Sequence, residues 1–204
     1  MPQTENRQFP VVLLLSLALV FVWSFIGCHD RFTWFMEVFP VIVGVTLLLA
    51  IYPQWRLTRL VVWVLWLHAI ILMVGGHYTY AEVPLFNGLR DHFHLARNNY
   101  DRVGHFMQGF VPALVSREVL LRKNVLKRGP WLNFLVVCIC LAISASYELL
   151  EWQAAVWTGT KADAFLGTQG DPWDTQWDMT MALIGSITAL FAMTRCHDQE
   201  LGTL

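Results

Sequence analysis

Charge is what this sequence has least of. Only 14% of its 204 residues are Asp, Glu, Lys or Arg, against about a quarter in a typical soluble domain. With 56% hydrophobic residues and a mean hydropathy of +0.47, a chain of this length in water would lack the polar surface to cover itself. There is no excess of one sign either. A net charge of -1 excludes a strongly basic nucleic-acid binder, and no basic–aromatic motif of that kind occurs. Cysteine is scarce as well. Cys28, Cys138, Cys140 and Cys196 show neither CxxC spacing nor a dense framework, which argues against a zinc knuckle or a disulfide scaffold. They read as small apolar residues in helices. Repeats, heptads and low-complexity tracts are absent too, so residues 1–204 read as one integral membrane domain.

What the chain does have is long apolar runs. They predict an all-α, polytopic helical bundle with about six transmembrane helices, at about 11–27, 35–51, 60–76, 101–121, 130–152 and 172–194. At about 1.5 Å per residue, such runs cross the hydrocarbon layer. The first run resembles a secretion signal only superficially. Arg7 is its one basic flanking residue, no A-x-A site follows, and five more spans come after it. Two polar stretches, about 77–100 and 153–170, interrupt the runs.

Orientation follows from the cationic loops. Arg7, Arg56, Arg59, Arg117, Arg122, Lys123, Lys127, Arg128 and Arg195 fall on one side; Arg31, Arg90, Arg97, Arg102 and Lys161 fall on the other. Nine against five puts both termini in the cytoplasm and turns the two polar stretches outward. Trp152, Trp157, Trp173 and Trp177 suit the aromatic belt of that outer face.

Polar residues placed by depth converge at the same end. Asp101 and His105 are four apart at the outer end of the fourth span. Glu148 and Glu151 are three apart at the outer end of the fifth, with Ser144 continuing their stripe. Asp171, Asp174 and Asp178 open the sixth. Spacings of three and four put each set on one helix face. His105, Glu148 and Asp178 are the candidate catalytic residues, because ionisable groups inside a span are expensive and persist when paired or functional. Asp101, Glu151, Asp171 and Asp174 are supporting polar groups. Asp171 also reads as an N-cap with Asp174 in the first turn, and Glu151 sits near enough to the interface to be solvated. No cofactor is specified, but carboxylates with an imidazole suit a divalent cation, Mg²⁺, Mn²⁺ or Zn²⁺, with His105, Glu148 and Asp178 as its ligands. The same groups suit acid–base chemistry or a proton relay. His68, alone on an apolar helix, reads as a packed, hydrogen-bonded histidine. Gly167-Thr168-Gln169-Gly170 reads as a turn, since the P-loop lysine and strand are missing.

Four strings carry a resemblance: His77–Pro84 (HYTYAEVP), Asn99–Phe106 (NYDRVGHF), Ser146–Trp152 (SYELLEW) and Gly167–Asp178 (GTQGDPWDTQWD). They resemble the YjdF family of bacterial inner-membrane proteins over nearly the whole chain. That resemblance implies a multi-pass inner-membrane protein whose activity is not known. The order of a helix-borne His, a later Glu and Asp residues opening the last helix is similar, more weakly, to the VanZ-like proteins, which are linked to glycopeptide tolerance and envelope processes. Their usual Asn shortly after the Asp is missing from Ala182–Ser186.

Three functions remain open on these residues. The first is an enzyme or binding protein for an envelope lipid or cell-wall intermediate. The second is a small proton- or cation-coupled transporter, against which stand the lack of inverted repeats and the sparse polar groups on the cytoplasmic halves. The third is a structural membrane subunit. Membrane lipids are the expected surroundings, and nucleic acid is not an expected partner. The orientation is directly testable. Alkaline phosphatase fused after residue 95 is expected to be active and green fluorescent protein fused at the C-terminus to fluoresce; the reverse pattern would invert the topology.

Overall fold

The structure, a computed structural model, describes residues 8–159 and 166–202; Arg7 and Lys161 lie outside the described residues. Among those residues there are seven helices and no strand: α1 (Gln8–Phe25), α2 (Arg31–Ile51), α3 (Arg59–Tyr78), α4 (Pro84–Phe93), α5 (Tyr100–Arg122), α6 (Pro130–Thr158) and α7 (Asp174–Leu201). Four of them, α2, α3, α6 and α7, are long and apolar enough to cross a membrane, and α1 carries a shorter apolar stretch, Pro10–Phe25. The chain is an integral, multi-pass membrane protein.

Local chemistry starts and stops these elements. Asp30 caps α2 by accepting the Thr33 N–H at 2.7 Å. Thr58 caps α3, whose last turn closes on Thr79 in the left-handed region, φ 55°. Pro130 opens α6 at its first position. Two expectations need correcting. The stretch 77–100 is not simply loop, because Pro84 starts the short helix α4, with no buried residue. Nor does α6 stop at Trp152; it continues to Thr158.

Helix α5 is the axis of the C-terminal half, packing on α3, α6 and most extensively on α7. Its middle residues Met107, Phe110, Val111, Ala113 and Leu114 form a core with Leu132, Val136 and Cys140 of α6, Val61 of α3 and Ala189 of α7. The cause of the tight α5–α7 contact is a reciprocal pair of glycines. A Cβ on Gly109 would collide with the Ala182 carbonyl, and one on Gly185 with the Phe106 carbonyl. Small residues of this kind let helix backbones touch where lipid offers no hydrophobic drive to associate. On the other flank, α1, α2 and α3 pack around Trp34, Val38, Val41, Ala69 and Met73. His68 lines an aliphatic groove between those helices. Its Nε2 is buried without a hydrogen-bond partner, so it is not the fully hydrogen-bonded histidine expected.

Gly185→Ala should force α5 and α7 apart, because the clash is with backbone rather than a movable side chain. A loss of about 1–3 kcal/mol is expected, read as a lower melting temperature in detergent; an unchanged melting temperature would show that the contact is looser than described.

Candidate functional site

The ends of α5, α6 and α7 that the cationic loops assign to the outer side meet as the residue stripes imply. Asp101 and His105 come from the first turns of α5, Glu148 and Glu151 from the penultimate turns of α6, and Asp174 and Asp178 from the start of α7; all six are buried. The His105 ring is central. Its Nε2 lies 3.3 Å from Asp101 Oδ1 and 3.7 Å from Asp178 Oδ1. Its Nδ1 faces Gln108 Oε1 at 3.1 Å and Glu148 Oε1 at 3.8 Å. Glu148 is 7% exposed, yet its Oε1 has no hydrogen-bond partner. Ser144, one turn deeper on α6, also leaves its buried hydroxyl unpartnered. Of the expected metal trio, His105 and Asp178 share one cluster with Asp101, ligand atoms lying within 4.8 Å of one another. Glu148 approaches the other edge of the ring.

Two residues counted only as loop cations complete the rim. Arg97 and Arg102 both pair with Asp174. Arg102 also pairs with Asp178, and Arg97 lies 3.4 Å from Asp101. Asp171 is 3.7 Å from Arg97 and 3.6 Å from Arg102. Three details of the α7 entrance and its neighbour differ from expectation. Trp173 occupies the N-cap position without a side-chain bond. Asp171 instead accepts the Trp173 N–H at 2.9 Å in the preceding turn. Asp174 does sit in the first turn, near the positive end of the helix dipole, but its carboxylate goes to the two arginines. Glu151 is buried rather than solvated.

The Gly167–Gly170 segment is the turn expected, with Gln169 and Gly170 at positive φ. It also clasps the approach to α5. Gln169 Oε1 accepts the Asn98 N–H and its Nε2 donates to the Asn98 carbonyl, each at 2.9 Å. The Gly167 carbonyl accepts from Arg97 at 3.1 Å. Sequence reasoning missed Glu37 of α2 altogether. It is buried in an apolar helix far away in the chain and accepts from the Tyr147 hydroxyl at 3.3 Å. Tyr80, in the loop after α3, lies beside it. Burial, and then the charge of Glu37, push this phenol well above its usual range, so it remains a neutral O–H donor.

Comparison with known proteins agrees with this architecture. Residues 9–199 match the family model described as "Predicted membrane protein (DUF2238)". The chain is also 51% identical, over 92% of its own length and 90% of the relative's, to the "Inner membrane protein YjdF" of Escherichia coli (strain K12). The chain belongs to the DUF2238 family. Its resemblance to YjdF and its bacterial inner-membrane location are thereby borne out, whereas likeness to the VanZ-like proteins is not among what these comparisons show. No solved structure matches.

This DUF2238 chain holds a second polar cluster that the sequence did not disclose, at the opposite end of the same helices. Glu118 and His197, both 0% exposed, meet at 3.1 Å. Glu118 also accepts from the Thr58 hydroxyl at 2.7 Å and from Arg122 at 2.7 Å. Arg117 faces His197 at 3.2 Å and donates to Asp198 at 2.7 Å. Polar groups are therefore not sparse on this side, contrary to expectation. Here both Glu118 oxygens have partners; in the outer cluster Glu148 Oε1 has none.

Arg102→Ala would leave Asp174 and Asp178 with unbalanced charge in a low-dielectric site. Removing one member of such a buried set costs about 3–5 kcal/mol, so a large fall in melting temperature is expected, with Arg102→Lys retaining part of the stability. Equal stability of the alanine variant would mean that the arginine is solvated in place.

Proposed function

We propose that this protein binds and acts on the polar head of an envelope lipid or cell-wall intermediate at the outer leaflet of the bacterial inner membrane. His105 is the central acid–base group, with Glu148 beside it and Asp178 and Glu151 as supporting carboxylates. One observation carries this reading: a buried imidazole inside a bundle, with carboxylates from three helices within 3.8 Å. Keeping such groups inside a span costs about 2.5–3.5 kcal/mol each near the bilayer centre and less near the interface. A purely structural role would favour full pairing, as at Glu118, and Glu148 departs from that. A positioned acid–base group of this kind contributes about 10²–10⁴-fold to a reaction.

The surroundings support a headgroup rather than a soluble substrate. On the orientation read from the cationic loops, the cluster lies at the extracytoplasmic interface. Trp152, Trp157, Trp173 and Trp177, all exposed, stand beside it on α6 and at the start of α7, the level at which aromatic side chains meet lipid headgroups. A proton- or cation-coupled transporter is the second reading, favoured by the additional cluster around Glu118 and His197. Against it, the apolar layer of Phe110, Val111, Ala113 and Leu114 separates the two clusters along α5.

The test uses purified protein in nanodiscs, incubated with a lipid extract of bacterial envelopes and followed by mass spectrometry. Wild type is expected to retain or convert a lipid species. His105→Ala and Glu148→Gln should lose this by about 100-fold or more while inserting normally. Equal behaviour of all three proteins would remove the case for this function, and Glu148-dependent cation flux in proteoliposomes would move it to the transporter.

A further inference from the structure

Among the described residues, acidic side chains outnumber basic ones in the outer cluster. Within that set, Glu37, Asp101, Glu148, Glu151, Asp171, Asp174 and Asp178 are set against Arg97, Arg102 and the His105 imidazole. The imbalance is sharpest around the His105 ring. Both oxygens near His105 Nδ1, those of Gln108 and Glu148, are acceptors, so Nδ1 carries the hydrogen and donates. In a neutral ring that leaves the Nε2 lone pair pointing at Asp101 Oδ1 and Asp178 Oδ1, 3.3 and 3.7 Å away. Three electron-rich atoms facing one another at this depth are stable with a cation among them, either a proton on Nε2 or a metal ion.

The spacing fits a metal ion. Ligand atoms at about 2.0–2.1 Å from a tetrahedral ion stand about 3.4 Å apart, close to the 3.3 and 3.7 Å separations observed. Asp178 Oδ1 also accepts from Arg102, but a carboxylate oxygen has a second lone pair to give. A metal-bound histidine nearly always donates its other N–H to a carboxylate or carbonyl, which fixes its tautomer. Gln108 and the unpartnered, buried Glu148 Oε1 stand at that position. We infer that Asp101, His105 and Asp178 bind a divalent transition-metal ion, zinc or manganese, with Gln108 and Glu148 orienting the imidazole from behind. The mixed oxygen and nitrogen donor set suits these ions. Glu148, taken from the sequence as a ligand, becomes a positioning residue. The inference rests on the same outer site as the function proposed above and, where the ion is bound, gives His105 the role of ligand in place of acid–base group; the ion would serve as a Lewis acid for a phosphate or carbonyl group of the substrate.

The experiment loads tag-free, detergent-purified full-length protein with zinc alone or manganese alone, without added lipid, and counts bound metal by elemental analysis after desalting. About one ion per chain is expected. His105→Gln and Asp178→Asn should abolish loading, whereas Glu148→Gln should weaken affinity about 10–100-fold and keep the stoichiometry. Melting curves establish that each variant is folded. If both ligand variants fail to fold, the graded loss in Glu148→Gln carries the test. Folded wild type that takes up neither metal, or folded variants that load like wild type, would overturn the inference. Because lipid is absent, the two proposals fail separately. Metal uptake without lipid retention retires the function and keeps the metal, and the converse result retires the metal alone.

Discussion

The outer site depends on how closely two backbones can approach. Gly109 of α5 lies against the Ala182 carbonyl of α7, and Gly185 of α7 against the Phe106 carbonyl of α5. This contact lies one to two turns below the polar residues on each helix. It therefore sets their register: with α5 and α7 locked there, His105 and Asp178 have to face each other. Larger residues at either glycine would separate the two sides of the cluster by more than the reach of an imidazole–carboxylate contact. In lipid, where burying apolar side chains earns nothing for helix association, such a close approach and the polar contacts above it supply the packing energy together.

The two ends of the bundle solve the problem of buried charge differently. At the Glu118 end both oxygens of the central carboxylate are met: a threonine hydroxyl and N–H, an arginine and a histidine converge on it, linking the start of α3 and the ends of α5 and α7, although Arg117 Nε is left without a partner. At the His105 end, among the described residues, carboxylates outnumber the basic groups that face them. Both the dipoles at the N-termini of α5 and α7 and the two arginines favour negative charge there, yet Glu148 Oε1 remains unmet. A carboxylate with both oxygens met is held in place; one with an unmet oxygen retains the capacity to take up something else.

Much of this was legible in the sequence because helical periodicity and depth are simple rules. The pairs Asp101 and His105, Glu148 and Glu151, and Asp174 and Asp178 share faces by spacing alone, and the alternation of spans brings those faces to one end. What spacing could not reveal was contact between distant segments. Glu37 sits alone in an apolar helix, so nothing local marks it as a neighbour of Tyr147. Arg97 and Arg102 look like ordinary flanking cations until the chain folds back and delivers Asp171 and Asp174 to them. Glu118 and His197 are 79 residues apart, and each reads as a surface charge near a helix end. Helix α4 was lost to its polar composition, although Pro84 was its visible start signal.

Helix α6 has one more consequence. Its 29 residues extend about 44 Å at 1.5 Å per residue, well beyond a hydrocarbon layer of about 30 Å. With Pro130 near the opposite surface, where the sequence reading starts this span, the excess would emerge beside the His105 cluster, where Trp157 is 79% exposed. A rod longer than its slab tilts, or stands proud and is gripped at the rim. Bilayer thickness thus becomes a variable that moves Glu148 and Glu151 relative to the water line, so the hydration of the site is coupled to the acyl-chain length of the host membrane.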